Sequence, residues 1–379
     1  MFAHFSHHLM TALPIPLLPF IRDDYALDYT QAGFVISSFS LAYGIGQLPA
    51  GWLADRIGPR ILVTTGICGV ALAGLLVGLS QSYIMVIFFL ALMGVLGGGY
   101  HPAAPPLISA SVEPKNRGRA LGFHMTGSGV SFFLAPLIAA AIAVAWGWRG
   151  AFIILAIPTV VFGILFYVML GQLSGSKRTE PKLISSYHEK PPAPRHLHRL
   201  VSFIILNIFA GAVVFSMISF IPLFVVDQFG FSKEAAAAFI AIFYFTGLWA
   251  SPLGGYLSDR LGRMPVVLTA CLLTGPAVYL LSLGPHGLGI SFVLIFIGTT
   301  AYVRMPVSEV YIVNNTSTRH RSSILGIYYF GNMEGMGVIT PIIGYLIDKF
   351  GFNTSFTIVG ATLMAMTLVC SIWLWGSRD

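Results

Sequence analysis

The octapeptide Gly51-Trp52-Leu53-Ala54-Asp55-Arg56-Ile57-Gly58 returns as Gly255-Tyr256-Leu257-Ser258-Asp259-Arg260-Leu261-Gly262, an offset of 204 residues (255 − 51). The same offset relates Arg117 to Arg321, Leu121-Gly122 to Leu325-Gly326, and Pro102 to Pro306. It also relates Gly147 and Phe152 to Gly351 and Phe356. Several widely separated matches at one offset mark a duplicated chain.

Outward from each octapeptide the sequence is apolar. Hydrophobic residues make up 56% of the 379 positions and charged residues only 9%, against about 25% charged in a soluble domain. Such a chain lacks the polar side chains to cover a surface in water, so its solvent is lipid. Runs of roughly 20 apolar residues cross a bilayer as helices. The expected spans are 2–21, 31–52, 61–80, 84–110, 119–143 and 149–171, then 200–226, 235–257, 264–283, 288–314, 322–346 and 354–375. Residues 1–171 and 200–379 form two six-helix halves, joined by a polar, basic, proline-rich linker over 172–199. The expected fold is therefore an all-α membrane protein of twelve transmembrane helices in two pseudo-symmetric halves. The first apolar stretch lacks a basic leading region, so no cleavable signal peptide is expected.

Charge placement orients the chain. With the N-terminus inside, 16 of the 21 lysines and arginines fall in inner segments, and four (Arg22, Arg149, Lys233 and Lys349) in outer ones. This is the positive-inside bias, and it puts both termini in the cytoplasm, in a bacterial inner (plasma) membrane. An even number of spans per repeat makes the duplication a parallel one, about an axis along the membrane normal, as in many secondary transporters.

With that duplication and the loop Gly51–Arg60, GWLADRIGPR, the chain resembles the major facilitator superfamily over essentially its whole length. The resemblance implies an alternating-access carrier. Spans 1, 4, 7 and 10 would line a cavity, spans 2, 5, 8 and 11 would form gates, and the others would face lipid. It also implies that Asp55 holds the start of span 11 and locks an inner gate, with Asp259 as its counterpart. Gly51, Arg56, Gly58, Arg60 and Arg260 complete the motif. Physically, glycines let helix ends approach, an acidic group suits a helix N-terminus, and the arginines can pair with acids or lipid headgroups. A plain positive-inside turn is the bland alternative.

Charged and histidine side chains deep in the membrane are costly and mark substrate or proton paths. In span 4, Gly97-Gly98-Gly99-Tyr100-His101-Pro102, followed by Pro105 and Pro106, predicts an interrupted helix lining a cavity. There Tyr100 and His101 are candidate binding or proton-carrying groups. The His-Pro pair after the glycine run is similar to the fosmidomycin-resistance branch of drug exporters. In span 5, His124, Gly127, Ser128 and Ser131 share a face. The stretch 122–136 partly resembles the superfamily's antiporter motif, with Ser131 and Ala135 where that motif prefers glycine. His124 is a candidate proton group on a packing face.

Spans 10 and 11 hold Arg304, Glu309 and Glu334. Arg304 and Glu334 lie at matching depth, so an ion pair between them is expected. Glu309 shares a face with Tyr302. In span 1, His4, His7, His8 and Thr11 share a face near the cytoplasmic end and read as solvated gate residues.

No Walker loop, HExxH or paired-cysteine site is present, and Cys68, Cys271 and Cys370 sit in apolar runs. No enzyme activity, cofactor, metal or nucleic-acid partner is expected. The partners are a small-molecule substrate, protons and the bilayer, and the chain is expected to act as a monomer. The expected function is proton-coupled export of a small amphipathic or anionic compound by a secondary carrier. Uptake or exchange of an organic anion is the alternative within transport, and a non-transporting sensor or scaffold the alternative outside it.

The orientation carries a direct test. Single cysteines placed within residues 177–195 of a cysteine-free variant should react only with thiol reagents that enter the cytoplasm. Labelling of intact cells by an impermeant maleimide would reverse the topology.

Overall fold

The structure is a computed structural model that describes residues 1–174, 194–284, 286–317 and 320–374. The surroundings of Gly51 and the side chains at Asp55, Pro114, 173–174, 194–196, Arg321 and Ser322 lie outside the described set. The described residues are helical, with no strand among them. In chain order the helices are α1 (Phe2–Thr11), α2 (Pro14–Tyr25), α3 (Tyr29–Ile57), α4 (Pro59–Gly78), α5 (Tyr83–Gly97), α6 (Tyr100–Ser111) and α7 (Arg117–Ser174). They continue as α8 (Pro194–Ser219), α9 (Ile221–Phe229), α10 (Lys233–Phe245), α11 (Gly247–Leu261), α12 (Arg263–Ser282), α13 (Leu288–Asn314) and α14 (Arg321–Leu374).

Eight stretches are long and apolar enough to cross a membrane. Two of them, Arg117–Gln172 and Ser323–Leu374, have 56 and 52 residues. As straight rods they would run about 80 Å at 1.5 Å per residue, well over twice the ~30 Å hydrocarbon layer. Each is divided by a glycine outside helical geometry, Gly147 (φ 72°, ψ 166°) and Gly351 (φ 74°, ψ 171°), and so supplies two spans. With α3 and the broken pair α1–α2, this makes twelve spans among the described residues. The first span breaks at Ala12–Leu13, and Pro14 opens α2, where its missing N–H costs nothing. The fourth breaks between α5 and α6 at Gly98-Gly99. Around the expected linker, α7 runs on to Ser174 and α8 begins at Pro194, and residues 175–193 lie outside the described set.

The offset of 204 is written into the backbone. Helices α4 and α12, Pro59–Gly78 and Arg263–Ser282, match end for end, and α7 and α14 begin at Arg117 and Arg321. The turns before α4 and α12 use Gly58 (φ 87°, ψ 146°) and Gly262 (φ 85°, ψ 154°), a region closed to other residues. Asp28 accepts from the Gln31 N–H at 2.7 Å, and its repeat equivalent Ser232 accepts from the Ala235 N–H at 3.2 Å. Phe152 and Phe356 are both fully buried.

By packing the chain forms two compact units that cross chain order. One holds Met1–Pro14 and the chain from Ser38 into the linker, and the other holds Ile15–Ser37 and everything after. In the first unit, α4 packs against α1, α5, α6 and α7. Gly66 of α4 allows this, because a Cβ there would lie 2.9 Å from the Tyr100 Cβ.

In the second unit, polar bonds tie residues 15–37 down. Arg22 makes a two-pronged ion pair with Asp227, which also accepts from the Tyr29 hydroxyl at 2.8 Å. Asp348 accepts from the Tyr29 and Thr30 N–H groups at 2.9 and 2.8 Å, capping α3 from a distant helix. Asp23 bonds Arg22 and, at 2.6 Å, Lys233. Burial opposes the charge on Asp23, but the bonds from Lys233 and Arg22 outweigh it and hold its carboxyl below the ordinary aspartate range.

The glycine geometry predicts a stability pattern. Gly351→Ala should destabilise by about 1–3 kcal/mol, the cost of a side chain in that region of backbone space. Gly122→Ala, helical and with open space around the added methyl, should be neutral. Thermal melts in detergent compare the two, and equal midpoints would remove the assignment.

Candidate functional site

Arg304 lies in mid-α13 and is 4% exposed. Its Nη1 donates to the Asn207 carbonyl and to Asn207 Oδ1, each at 3.0 Å. Asn207, on α8, is aimed by its own Nδ2, which donates to the Phe203 carbonyl at 2.8 Å. The Ser308 hydroxyl sits 2.5 Å from Asn207 Oδ1. Tyr328, buried on α14, lies beside Arg304, and its carbonyl accepts from Asn332 Nδ2 at 2.8 Å. Gly211 leaves room beside the guanidinium, since a Cβ there would come 3.3 Å from Arg304 Nη2 and 2.2 Å from Asn332 Oδ1. All these partners are neutral, and no carboxylate pairs with Arg304 among the described residues.

The expected Arg304–Glu334 pair is therefore not made. Depth along two helices fixes height but not rotation. Helix α14 turns Gly331 and Gly335 toward Ile208 and Ala212 of α8, and Glu334 stands about 100° away from Gly335 around the helix. Its Oε1 is buried without a hydrogen-bond partner. Glu309 bonds the Tyr329 side chain. Tyr302 packs with Phe243 and Phe215, at ring distances of 5.7 and 6.3 Å, and against Gly247.

The first unit gathers histidines. His4, His7 and His8 of α1 are buried, at 1%, 0% and 8% exposure, so they are not the solvated gate residues their position suggested. They meet His101 of α6 and His124 of α7. The His4 ring stacks on His124 at 4.0 Å and lies 5.3 Å from His101. Tyr100 is fully buried, stacks on His7 at 4.4 Å, and its hydroxyl has no hydrogen-bond partner. His7 is held at both nitrogens, by the Gly66 carbonyl and the Tyr43 hydroxyl, each at 3.1 Å.

The two clusters occupy equivalent places in the repeat. Tyr100 corresponds to Arg304 (304 − 100 = 204), His7 to Gly211 and His124 to Tyr328. Where the second unit has a guanidinium with an empty glycine beside it, the first has a tyrosine with an imidazole stacked on it.

The loop motif is placed in part. The Asp55 side chain and the surroundings of Gly51 lie outside the described set. Arg56 lies over the Trp52 ring at 4.0 Å. Arg60 lies over the Tyr167 ring at 3.9 Å and donates to the Tyr167 carbonyl from Nε and Nη2. Asp259 is exposed, and Arg260 lies over the Tyr256 ring at 4.6 Å. Gly58 and Gly262 serve the turn through positive φ, and a Cβ at Gly58 would meet nothing within 4 Å.

Asn207, Ser308, Tyr328 and Asn332 escaped the sequence-based search. A signal existed for Asn207, a lone carboxamide in the apolar run Phe203–Ala212, since polar groups inside spans are functional candidates by default.

The sequence model of the Major Facilitator Superfamily matches residues 1–247 and 220–379. A probable sulfoacetate transporter of Cupriavidus necator is 25% identical over 91% of this chain and 85% of its own. A hexuronate transporter of Bacillus subtilis is 23% identical over 92% of this chain and 87% of its own. Among solved structures, a bacterial homologue of the human lysosomal transporter Spinster superposes with a TM-score of 0.76. It is 16% identical and covers 98% of this chain and 94% of its own.

The Arg304 environment predicts how Asn207 behaves. Asn207→Leu leaves the backbone carbonyl bond but removes the Oδ1 bond to the buried guanidinium, which contributes about 1.5–3 kcal/mol, and should lower the melting midpoint clearly. Asn207→Asp supplies a charged partner and should restore it. If both variants melt like the parent, Asn207 does not hold Arg304.

Proposed function

The chain belongs to the major facilitator superfamily, and we propose that it takes up a small organic anion by proton-coupled alternating access, with Arg304 as the anion anchor. The protein is an integral membrane transporter and not an enzyme. The single observation that carries the anion reading is a buried guanidinium held only by neutral groups among the described residues. Arginine presents five N–H donors and matches carboxylate or sulfonate oxygens in a two-pronged way. The names of the two relatives, a sulfoacetate and a hexuronate transporter, support an anionic organic substrate.

Coupling follows from charge balance. Arg304 and Glu334 lie in one unit, and neither is neutralised by the other. An unpaired charge is costly in a low-dielectric interior. A carboxylate on Glu334 repels an anion held on Arg304 and a proton on Glu334 removes that repulsion, so the two ligands favour each other's binding and travel in the same direction. The inward proton gradient of a bacterial inner membrane then drives uptake. Export by proton exchange requires the opposite linkage, with proton and anion competing. The positive-inside bias supports cytoplasmic termini, and Asp55 in the span 2–3 loop is assigned the inner gate by resemblance.

Proteoliposomes test this with labelled sulfoacetate and glucuronate, with and without an imposed pH gradient. Arg304→Ala should weaken binding about 10- to 100-fold, the value of a charge-assisted bond. Glu334→Gln should still exchange substrate across the membrane but lose accumulation driven by the gradient. Gradient-driven accumulation by Glu334→Gln would move coupling elsewhere, and undiminished binding by Arg304→Ala would remove the anion site.

A further inference from the structure

We propose that His4, His8 and His101 form a binding site for a borderline divalent transition-metal ion such as zinc. Their ligand nitrogens all lie within 4.8 Å of one another. His4 Nε2 and His8 Nε2 face each other at 3.1 Å. Two imidazole nitrogens bound to one tetrahedral zinc, at about 2.0–2.1 Å each, stand about 3.3 Å apart. Two of the three ligands are thus already at bound spacing. A rotation of His101, the partly exposed member, brings in the third.

Hydrogen bonds set the tautomers that metal binding needs. His4 Nδ1 lies 3.0 Å from the His124 carbonyl, which can only accept. The His4 proton therefore sits on Nδ1, and Nε2 presents a lone pair to the centre of the cluster. A carbonyl behind the outer ring nitrogen is how metal-binding histidines are oriented. His8 Nδ1 lies 3.0 Å from the Thr11 hydroxyl oxygen. When the ion replaces the His8–His4 bond, the His8 proton moves to Nδ1 and is accepted there. No ionisation is required. His7, bonded at both nitrogens, is not a ligand.

The donor set selects the ion. Three neutral imidazoles suit zinc, nickel or copper and not magnesium or calcium, which take oxygen ligands. Three protein ligands leave a fourth position open to water or an anionic oxygen. Two further observations point to a ligand here. The buried Tyr100 hydroxyl beside the cluster has no partner, and the cluster occupies the repeat equivalent of the Arg304 site. The two clusters then have a common theme, each offering positive charge, one fixed and one acquired. His4 and His8 share α1 but the third ligand, His101, comes from α6, 97 residues (101 − 4) along the chain, so spacing alone led to the expectation of no metal.

The test uses the full chain, purified without a polyhistidine tag and dialysed against zinc. About one zinc per chain should be retained. His8→Gln and His101→Gln should each weaken zinc binding at least tenfold, while His198→Gln and His286→Gln should not. X-ray absorption at the zinc edge on the unsubstituted protein should show imidazole nitrogens at about 2.0 Å, a readout independent of whether the variants fold. Absence of retained zinc, retention unchanged in the His8→Gln/His101→Gln double variant, or an edge spectrum lacking imidazole overturns the proposal. The first outcome is also what a purely proton-carrying cluster would give.

Discussion

Hydrocarbon offers a guanidinium no hydrogen bonds, so every bond to the charge of Arg304 has to come from the chain or from what it carries. Much of the second unit is arranged by that need. The Asn207 amide has to point its oxygen inward, which the Phe203 carbonyl enforces by taking its N–H group. Gly211 has to stay small. Helix α14 has to come close enough for Tyr328 to reach across, which Gly331 and Gly335 allow by lying flat on α8. Neutral partners stabilise the cation without discharging it, and that leaves it able to attract an anion.

The fold was legible because its punctuation is backbone geometry. Positive-φ turns at Gly58, Gly147, Gly262 and Gly351 demand glycine whatever packs around them. Caps such as Asp28 and Ser232 are local in the same way. The repeat therefore survives in the sequence wherever the chain must turn, and the helix ends follow it. Grouping by packing was not legible. Residues 15–37 join the second unit through Asp227 and Asp348, partners that no local pattern connects to them.

The site was legible in its charges and not in its partnerships. Arg304, Glu309 and Glu334 are conspicuous in apolar helices, but sequence distance gives only height along a helix. Rotation sends Arg304 to Asn207 and Glu309 to Tyr329, and leaves Glu334 unpaired. The histidines taught the same lesson in another form. Period 3–4 correctly placed His4, His7 and His8 on one face. Their nearness to the cytoplasmic end of the span suggested water, but α6 and α7 cover them.

The equivalence of Tyr100 and Arg304 bears on how such a carrier can diversify. After duplication, two copies of one cluster position are held by the same turns, caps and buried phenylalanines. Changes of chemistry in either copy leave that scaffold intact, because the scaffold's requirements fall on other residues. One cluster has drifted toward a fixed cation and the other toward a bed of imidazoles. The side-chain chemistry of each cluster is thus a module that can change in one half while the turns, caps and buried phenylalanines of both halves stay as they are.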